Sequence, residues 1–375
     1  MSKQPRHQEI FSELKAEILA GTYDSAKRLP SEAQLVARFG VSRPTVARAL
    51  QELKLSGMLE RRAGSGTYLK KYAELPARTK QIGLIVPGLG KIEIFDVICG
   101  ELASLARVHD LGIHWGGSTH PRVDSSISVA EAEGLCEYYI EKGVSGVFFA
   151  PFEHTIDNEA ANRRIAERLS HSGIPVVLID RDLCVFPQRS TYDLVGMDNF
   201  AAGYLLAEHL IKLGVRRIEF VSRPLSATTV DARKAGAITA MMAHRVAISK
   251  EFHQQGNCMD VDFVRKLADG KRLEAVICAN DHTAAQLLQT LARLNIDTPR
   301  DLRVVGFDDV RFATLLHVPL TTIQQPCRNI ALTAFNAMRE RLNDPTLPAR
   351  SLLVTPSLIV RESCGAYLVG ASRAQ

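Results

Sequence analysis

An α/β chain in two parts is the architecture this sequence predicts: a small basic helix-turn-helix head with a β-hairpin wing, followed by a larger body of parallel sheet. Three observations carry that expectation. At 375 residues the chain is long for one domain and ample for two or three. Charge is lopsided, since residues 1–72 hold 13 Lys+Arg against 7 Asp+Glu while residues 73–375 hold 33 against 34. Near residue 80 the apolar pattern also changes, from helical spacing to short apolar runs alternating with helical segments. A basic module fused to a near-neutral one suggests a polyanion-binding head on a body with a separate task.

In the head, Ile10, Phe11, Leu14, Ile18 and Leu19 recur at helical spacing and predict a helix over about residues 8 to 20, ending near Gly21. Ser31 with Gln34 three residues on forms a capping box for a second helix, which packs Leu35, Val36 and Phe39 and stops at Gly40. After Val41, Ser42 can cap a third helix with Pro44 in its first turn and Val46, Leu50 and Leu53 on its buried side. With Val46 inward, Arg43, Thr45 and Arg48 face outward together. Arginine can grip guanine O6 and N7 in a major groove, and a threonine hydroxyl at a helix start suits phosphate oxygens. Leu59–Arg62 and Thr67–Leu69 then predict a hairpin around Ala63-Gly64-Ser65-Gly66, with Arg61, Arg62, Lys70 and Lys71 placed to meet phosphates. The competing reading is a three-helix structural module with a solvated basic face.

The segment RLPSEAQLVARFGVSRPTVARALQELKLSGMLERRAGSGTYL resembles the winged helix-turn-helix of the GntR family of bacterial transcription regulators across residues 6 to 70. The resemblance implies that Arg43 reads a base, that Ser31, Ser42, Thr45 and Arg48 lie at the DNA, and that Gly64, Ser65, Gly66 and Thr67 form the wing tip near the minor groove. Two positions depart from the pattern: Ala33 stands where a polar contact usually follows LPSE, and Ala26 where a turn glycine is common.

A linker is expected at 73–80, within the charged, proline-containing KYAELPARTK, so the divisions are 1–72, 73–80 and 81–375. Apolar runs at 82, 146, 175, 193, 217, 275 and 303 read as strands of a parallel sheet buried on both faces. Ligands of such sheets sit beyond the carboxyl ends of the strands. Those ends carry Asp180 and Arg181, Asp198 and Asn199, Ser222, Asn280 and Asp281, and Asp308 and Asp309. Helix capping accounts for Asp198, Asp281 and Asp309 in this reading. Asp180, Asn280 and Asp308 are the ligand candidates.

PVVLIDR, VGMDNFAAGYLLAEHLIKLGVRRIEFV, DARKAGAITAM, AVICANDHTAAQLL, LRVVGFDDV and PLTTIQQP make residues 81 to about 362 resemble the effector-binding domain of LacI-type regulators, related to periplasmic binding proteins. The combination with a GntR-type head resembles the arabinose-repressor-like subfamily. It implies two lobes, 81–190 with 325–350 and 191–324 with 351–365, hinged by crossovers near 190, 322 and 351. It also implies pocket roles for Asp180, Thr229, Arg233, Asn280, Asp308 and Gln325, with Phe95 as an apolar wall.

The seven cysteines are spread without a CxxC pair, which argues against a disulfide framework and a zinc site. VPGLGKIE lacks the glycine spacing and the Ser/Thr of a phosphate loop. His114 and His120 flank Trp115, the one tryptophan, which is expected in core packing. No apolar run approaches the roughly 18 residues of a membrane helix, and MSKQPRHQEI lacks the apolar core of a signal peptide, so a cytoplasmic protein is expected. The function expected is a homodimeric, ligand-responsive transcription regulator, a repressor rather than an activator. It would need double-stranded operator DNA, a small polar effector such as a sugar, and no cofactor or metal. The rivals are a solute-binding protein and a glycoside-processing enzyme with Asp180 and Asp308 as its carboxyl pair, in which Arg233 would hold the carboxylates ionised.

Overall fold

The computed structural model describes residues 6–19, 22–23, 29–55, 59–62, 66–69, 80–87, 89, 92–115, 128–153, 156–269 and 273–371. The chain divides into two compact units, Met1–Thr79 and Lys80–Gln375.

The first unit comprises α1 (Arg6–Leu19), α2 (Glu32–Phe39), α3 (Arg43–Leu55) and a hairpin of β1 (Leu59–Arg62) and β2 (Gly66–Leu69). Both halves of the capping box form at α2: Gln34 N–H donates to Ser31 Oγ, and Ser31 N–H donates to Gln34 Oε1 at 2.8 Å. Gly40 ends the helix at φ 61°, a left-handed conformation that glycine adopts without steric penalty. Buried Leu14, Leu35, Val46, Leu53 and Leu59 knit the three helices and the hairpin into one core. Arg38 donates to Glu13 and Glu17 and so ties the end of α2 to α1; that bond holds the Glu17 carboxyl below its ordinary range. Ser42 stands at the start of α3, its carbonyl accepting from Thr45 N–H at 3.0 Å and Val46 N–H at 3.3 Å, while its Oγ lies 2.8 Å from Thr45 Oγ1, hydroxyl to hydroxyl.

The second unit holds two six-stranded sheets. In the first the order is β13-β7-β6-β5-β3-β4, with every pairing parallel: β3 (Gln81–Ile85), β4 (Gly112–Trp115), β5 (Gly146–Phe149), β6 (Val176–Ile179), β7 (Asp193–Met197) and β13 (Ser351–Val354). In the second the order is β14-β12-β11-β10-β8-β9: β8 (Ile218–Ser222), β9 (His253–Gln255), β10 (Ala275–Cys278), β11 (Arg303–Asp308), β12 (Thr321–Gln324) and β14 (Ser357–Ile359), the last antiparallel to β12. The central strands are buried along their length, as a sheet with helices on both faces requires.

These sheets correct the expected lobe boundaries. Residues 193–197 and 351–354 belong to the first sheet, so the chain crosses between lobes after Met197, after Gln324 and after Val354. The stretch near 190, where the resemblance implies a crossover, is a loop inside the first lobe. Asp193 explains why, because its fully buried carboxylate is held by Arg341 at 2.8 Å and Arg350 at 3.3 Å beside the same sheet. Trp115 is likewise corrected: it lies on edge strand β4, 48% exposed, rather than in the core.

The sheets are accompanied by α4 (Glu93–Val108), α5 (Val129–Lys142), α6 (Ile156–His171), α7 (Asn199–Lys212), α8 (Thr229–Ala243) and α9 (Val261–Ala268), of which α7 and α8 meet unusually closely. A Cβ on Gly203 would stand 1.9 Å from the Arg233 carbonyl oxygen, and one on Gly236 2.0 Å from that of Phe200. Only glycine permits this approach, which brings the start of α7 against Arg233.

Candidate functional site

On the first unit, α3 presents Ser42, Arg43 and Arg48 to solvent, with Thr45 half-buried beside them. Arg43 is 79% exposed and rests on Glu32, Nε to Oε2 3.2 Å; Arg48 is 69% exposed and stands 3.8 Å from Glu52. Exposed pairs of this kind contribute about 0–1 kcal/mol and exchange readily for another acceptor. Sequence reading had not singled out Glu32 or Glu52. Thr67 lies on the wing, its carbonyl accepting from Leu29 N–H at 3.1 Å. Arg61, Arg62 and Gly66 belong to the hairpin strands. Gly64 and Ser65 lie outside the described residues, as do Lys70, Lys71, Ala26 and His120. Ala33 is exposed on α2 and offers no polar group there.

Between the two sheets of the second unit, the strand ends converge. Asp180 follows β6 at φ 71° and Asp308 closes β11 at φ 113°, conformations that side-chain-bearing residues rarely adopt and that mark over-determined sites. Asp180 is buried; its Oδ2 accepts from Arg181 at 3.0 Å and its Oδ1 from Gln325 Nε2 at 2.9 Å. The second carbonyl-type oxygen, Gln325 Oε1, is buried without a protein partner. Arg233, also buried, donates from Nε to Asn199 Oδ1 at 2.8 Å, from Nη1 to the Ala279 carbonyl at 2.7 Å and from Nη2 to Asp308 Oδ1 at 3.4 Å. Its guanidinium lies over Phe307, 4.6 Å from the ring centroid.

Burial pushes the Asp308 carboxyl up to about 6, against the lowering by Arg233 and with the negative charge of Asp180 adding to it. Burial outweighs Arg233 in setting this pKa, yet at about 6 the Asp308 carboxyl is still mostly ionised at neutral pH, with Arg233 as its ion-pair partner. Cys327 lines the same region, and burial raises its thiol to about 12, so it behaves as an apolar filler. Two cavities adjoin these residues: one of about 90 Å³ lined by Asp180, Asn199 and Thr229 among others, and one of about 450 Å³ lined by Asp308, Gln325 and Cys327 among others.

Asp180, Arg233, Asp308 and Gln325 are thus brought together, with Thr229 at the edge. Phe95 is not a free wall. It packs in the core at 1% exposure and meets the cleft only through Arg181, whose guanidinium lies 5.5 Å from its ring centroid. Asn280 spends its carboxamide oxygen capping α10 (Asp281–Arg293), accepting from Thr283 N–H and Oγ1 at 2.8 Å. The neighbouring Asp281, expected to be the cap, is instead fully buried and accepts from Thr322 Oγ1 at 2.6 Å and Val310 N–H at 3.2 Å. Asp309, another expected cap, pairs with Arg361 at 2.6 Å. Asp198 does cap α7, accepting from Ala201 N–H at 2.9 Å. Arg181 and Asn199 went unchosen in the sequence although both stand at strand ends; only their buried partners reveal their part. A further groove, of about 1060 Å³, lies in the second lobe between α10 and residues 312–318.

Residues 6–69 match the model of bacterial regulatory proteins of the gntR family, and residues 207–364 that of a periplasmic binding protein-like domain. The chain is 27% identical over 369 residues to the arabinose metabolism transcriptional repressor of Geobacillus stearothermophilus, covering 96% of this chain and 97% of that one. In fold it is similar to a transcriptional regulator CelR–cellobiose complex, with a TM-score of 0.64 at 21% identity over 89% of this chain and all of that one. It is also similar to the lac repressor dimer bound to operator and an anti-inducer, with a TM-score of 0.62 at 19% identity over 76% of this chain and 94% of that one. It is also 25% identical over 380 residues to the arabinose metabolism transcriptional repressor of Halalkalibacterium halodurans, covering 96% of each chain, so the relatives along nearly its whole length are transcriptional regulators. Among the described residues, no helix is long and apolar enough to cross a membrane.

Proposed function

We propose that this chain, which joins a head of the gntR family to a periplasmic binding protein-like body, represses transcription from an operator and is relieved by a small, hydroxyl-rich effector. The observation that carries the reading is the division of labour among its arginines: Arg43 and Arg48 stand exposed on the helix of a winged head, while Arg233 and Arg181 are buried with Asp308 and Asp180 between two lobes. The first pair can transfer to guanine edges and phosphates. The second pair, with Gln325 Oε1 awaiting a donor, suits hydroxyls that both donate and accept. Because the carboxylates balance the guanidinium groups, an uncharged sugar fits better than a sugar phosphate.

Two copies would read two half-sites, since a two-fold assembly needs matching symmetry in its DNA. We assign the second copy to the groove along α10, which Phe312, Leu316 and Val318 line with apolar surface. Asp281 joins this groove to the cleft, because its carboxyl holds Val310 N–H, just past Asp308, to the start of α10. An effector that binds two body conformations unequally would then alter the spacing of the heads; a coupling of about 1–3 kcal/mol changes operator affinity by roughly 5 to 150-fold.

The test is thermal unfolding of the full chain against pentoses, hexoses, disaccharides, sugar acids and sugar phosphates. A ligand at 100 times its dissociation constant adds about 2.7 kcal/mol. Stabilisation by one neutral sugar, which then releases operator DNA in a fluorescence anisotropy assay, is the expected result. Stabilisation by sugar phosphates alone, or by nothing in the panel, contradicts the effector assignment.

A further inference from the structure

From the hydrogen bonds around Arg233 we infer that Asn199 is a positioning residue, which holds this guanidinium against Asp308 and references it to the first crossover between the lobes. The inference rests on the effector reading above only for the task it gives Arg233.

A guanidinium carries five N–H donors in one rigid plane, so fixing two edges determines the third. The distances identify which partners do the fixing. Nε to Asn199 Oδ1 is 2.8 Å and Nη1 to the Ala279 carbonyl is 2.7 Å, whereas Nη2 to Asp308 Oδ1 is 3.4 Å, longer than the roughly 2.7–2.9 Å usual for charge-assisted bonds. Asn199 and Ala279 therefore anchor the group, with Phe307 beneath its face. The Asp308 edge is held loosely enough for a ligand hydroxyl to bridge it.

Asn199 is itself fixed. Its Nδ2 donates to the Met197 carbonyl at 3.0 Å, so the amide orientation satisfies both neighbours: oxygen toward the guanidinium, nitrogen toward the carbonyl. Met197 ends β7 in the first lobe, and Asn199 begins α7 in the second, one residue past the capping Asp198. Gly203 and Gly236 let α7 and α8 approach until Asn199 and Arg233 meet, and larger residues at either position would separate them. A rotation at this crossover consequently carries Arg233 with it, while the Ala279 end of the guanidinium reports to β10.

Asp308 provides a readout that needs no effector, because Arg233 lowers its pKa while burial, Asp180 and Asp281 raise it and Arg181 lowers it from farther off. The experiment is carboxyl NMR titration of the full chain with labelled aspartate, the Asp308 signal assigned by its loss in Asp308→Asn. Wild type should titrate near 6. Arg233→Met should shift that midpoint upward, and Asn199→Ala should shift it in the same direction. Phe200→Ala, one residue along the helix with an exposed side chain, should leave it in place. An unchanged midpoint in Asn199→Ala, or an equal shift in Phe200→Ala, overturns the inference. Should Asn199→Ala not fold, Asn199→Ser gives the same reading; failure of both to fold overturns it too, since a positioning residue is dispensable to the fold. A missing thermal shift with sugars would sink the effector reading and leave this titration untouched.

Discussion

The arginines of the head and those of the cleft are the same residue put to opposite physical uses. Arg43 and Arg48 are 79% and 69% exposed, each beside one glutamate on the surface of a helical unit. Arg233 and Arg181 are 5% and 7% exposed, enclosed by carboxylates, amides, a carbonyl and aromatic rings. In water a guanidinium gives up one partner for another at little cost. Out of water, desolvation makes every hydrogen bond necessary and fixes the geometry. Exposure suits a surface that must dock and leave; burial suits a site that must discriminate among small molecules by position.

The sharpest way to break this comparison is to delete an arginine of each kind. Arg233→Ala removes a buried cation and leaves Asn199 Oδ1, the Ala279 carbonyl and Asp308 short of donors. Breaking a buried pair on one side costs about 3–5 kcal/mol. Denaturant unfolding should show the body weakened by that order while the transition of the head is unmoved. A body as stable as wild type would mean that the buried network is not structural.

Next in size is a dependence on pH that the head does not share. The Asp308 carboxyl rises from an ordinary 3.8 to about 6 on folding. An acid with a raised folded pKa binds protons more tightly in the native state, so its contribution is most favourable below the unfolded value and declines as pH climbs toward 6, levelling above it. The decline is at most about 3 kcal/mol, at 1.36 kcal/mol per pKa unit. Asp308→Asn should lack this decline, so the wild-type-minus-mutant difference in stability, followed by denaturant midpoints, should fall across that window. A difference curve flat with pH would show that Asp308 titrates as an ordinary surface carboxylate.

The same contrast governs what the sequence reveals. In the head, local rules act through neighbours three or four residues apart, and the capping box at Ser31, the Gly40 stop and the outward set on α3 are all readable from spacing. In the body the deciding contacts are distant. Asp180 and Gln325 are 145 residues apart, and Arg233 and Asp308 are 75 apart, so residue type and strand ends narrow the choice and family resemblance completes it. What stayed hidden depends on burial: Asp281 looks like a cap but holds Thr322, Asn280 looks like a ligand group but caps α10, and Phe95 is sealed behind Arg181. Edge strands β4, β9 and β14 were also illegible, because their half-exposed residues form no continuous apolar run.

Arg43→Ala should be the head's counterpart to Arg233→Ala, with its effect on binding instead of folding. Its side chain contributes only a surface contact to Glu32, so the unfolding curve should stay put. Specific operator affinity should fall by about 1–3 kcal/mol, with discrimination between operator and altered half-sites reduced at one base pair. Competition binding with single-base variants checks this; equal discrimination by mutant and wild type would remove Arg43 from base reading.

Arg48 sharpens the distinction further, and its expected effect is the smallest. It sits five residues beyond Arg43 along α3, 3.8 Å from Glu52, which also lies 3.4 Å from His7. With Glu52 already shared, its release should cost the head almost nothing. If it meets a phosphate and not a base edge, Arg48→Ala should weaken binding to all sequences alike and reduce the slope of log affinity against log salt by about one. Titrations at several salt concentrations against operator and random DNA separate the cases. A loss confined to operator would make Arg48 a second base reader, while parallel losses with a shallower slope would leave Arg43 reading sequence and Arg48 setting the grip.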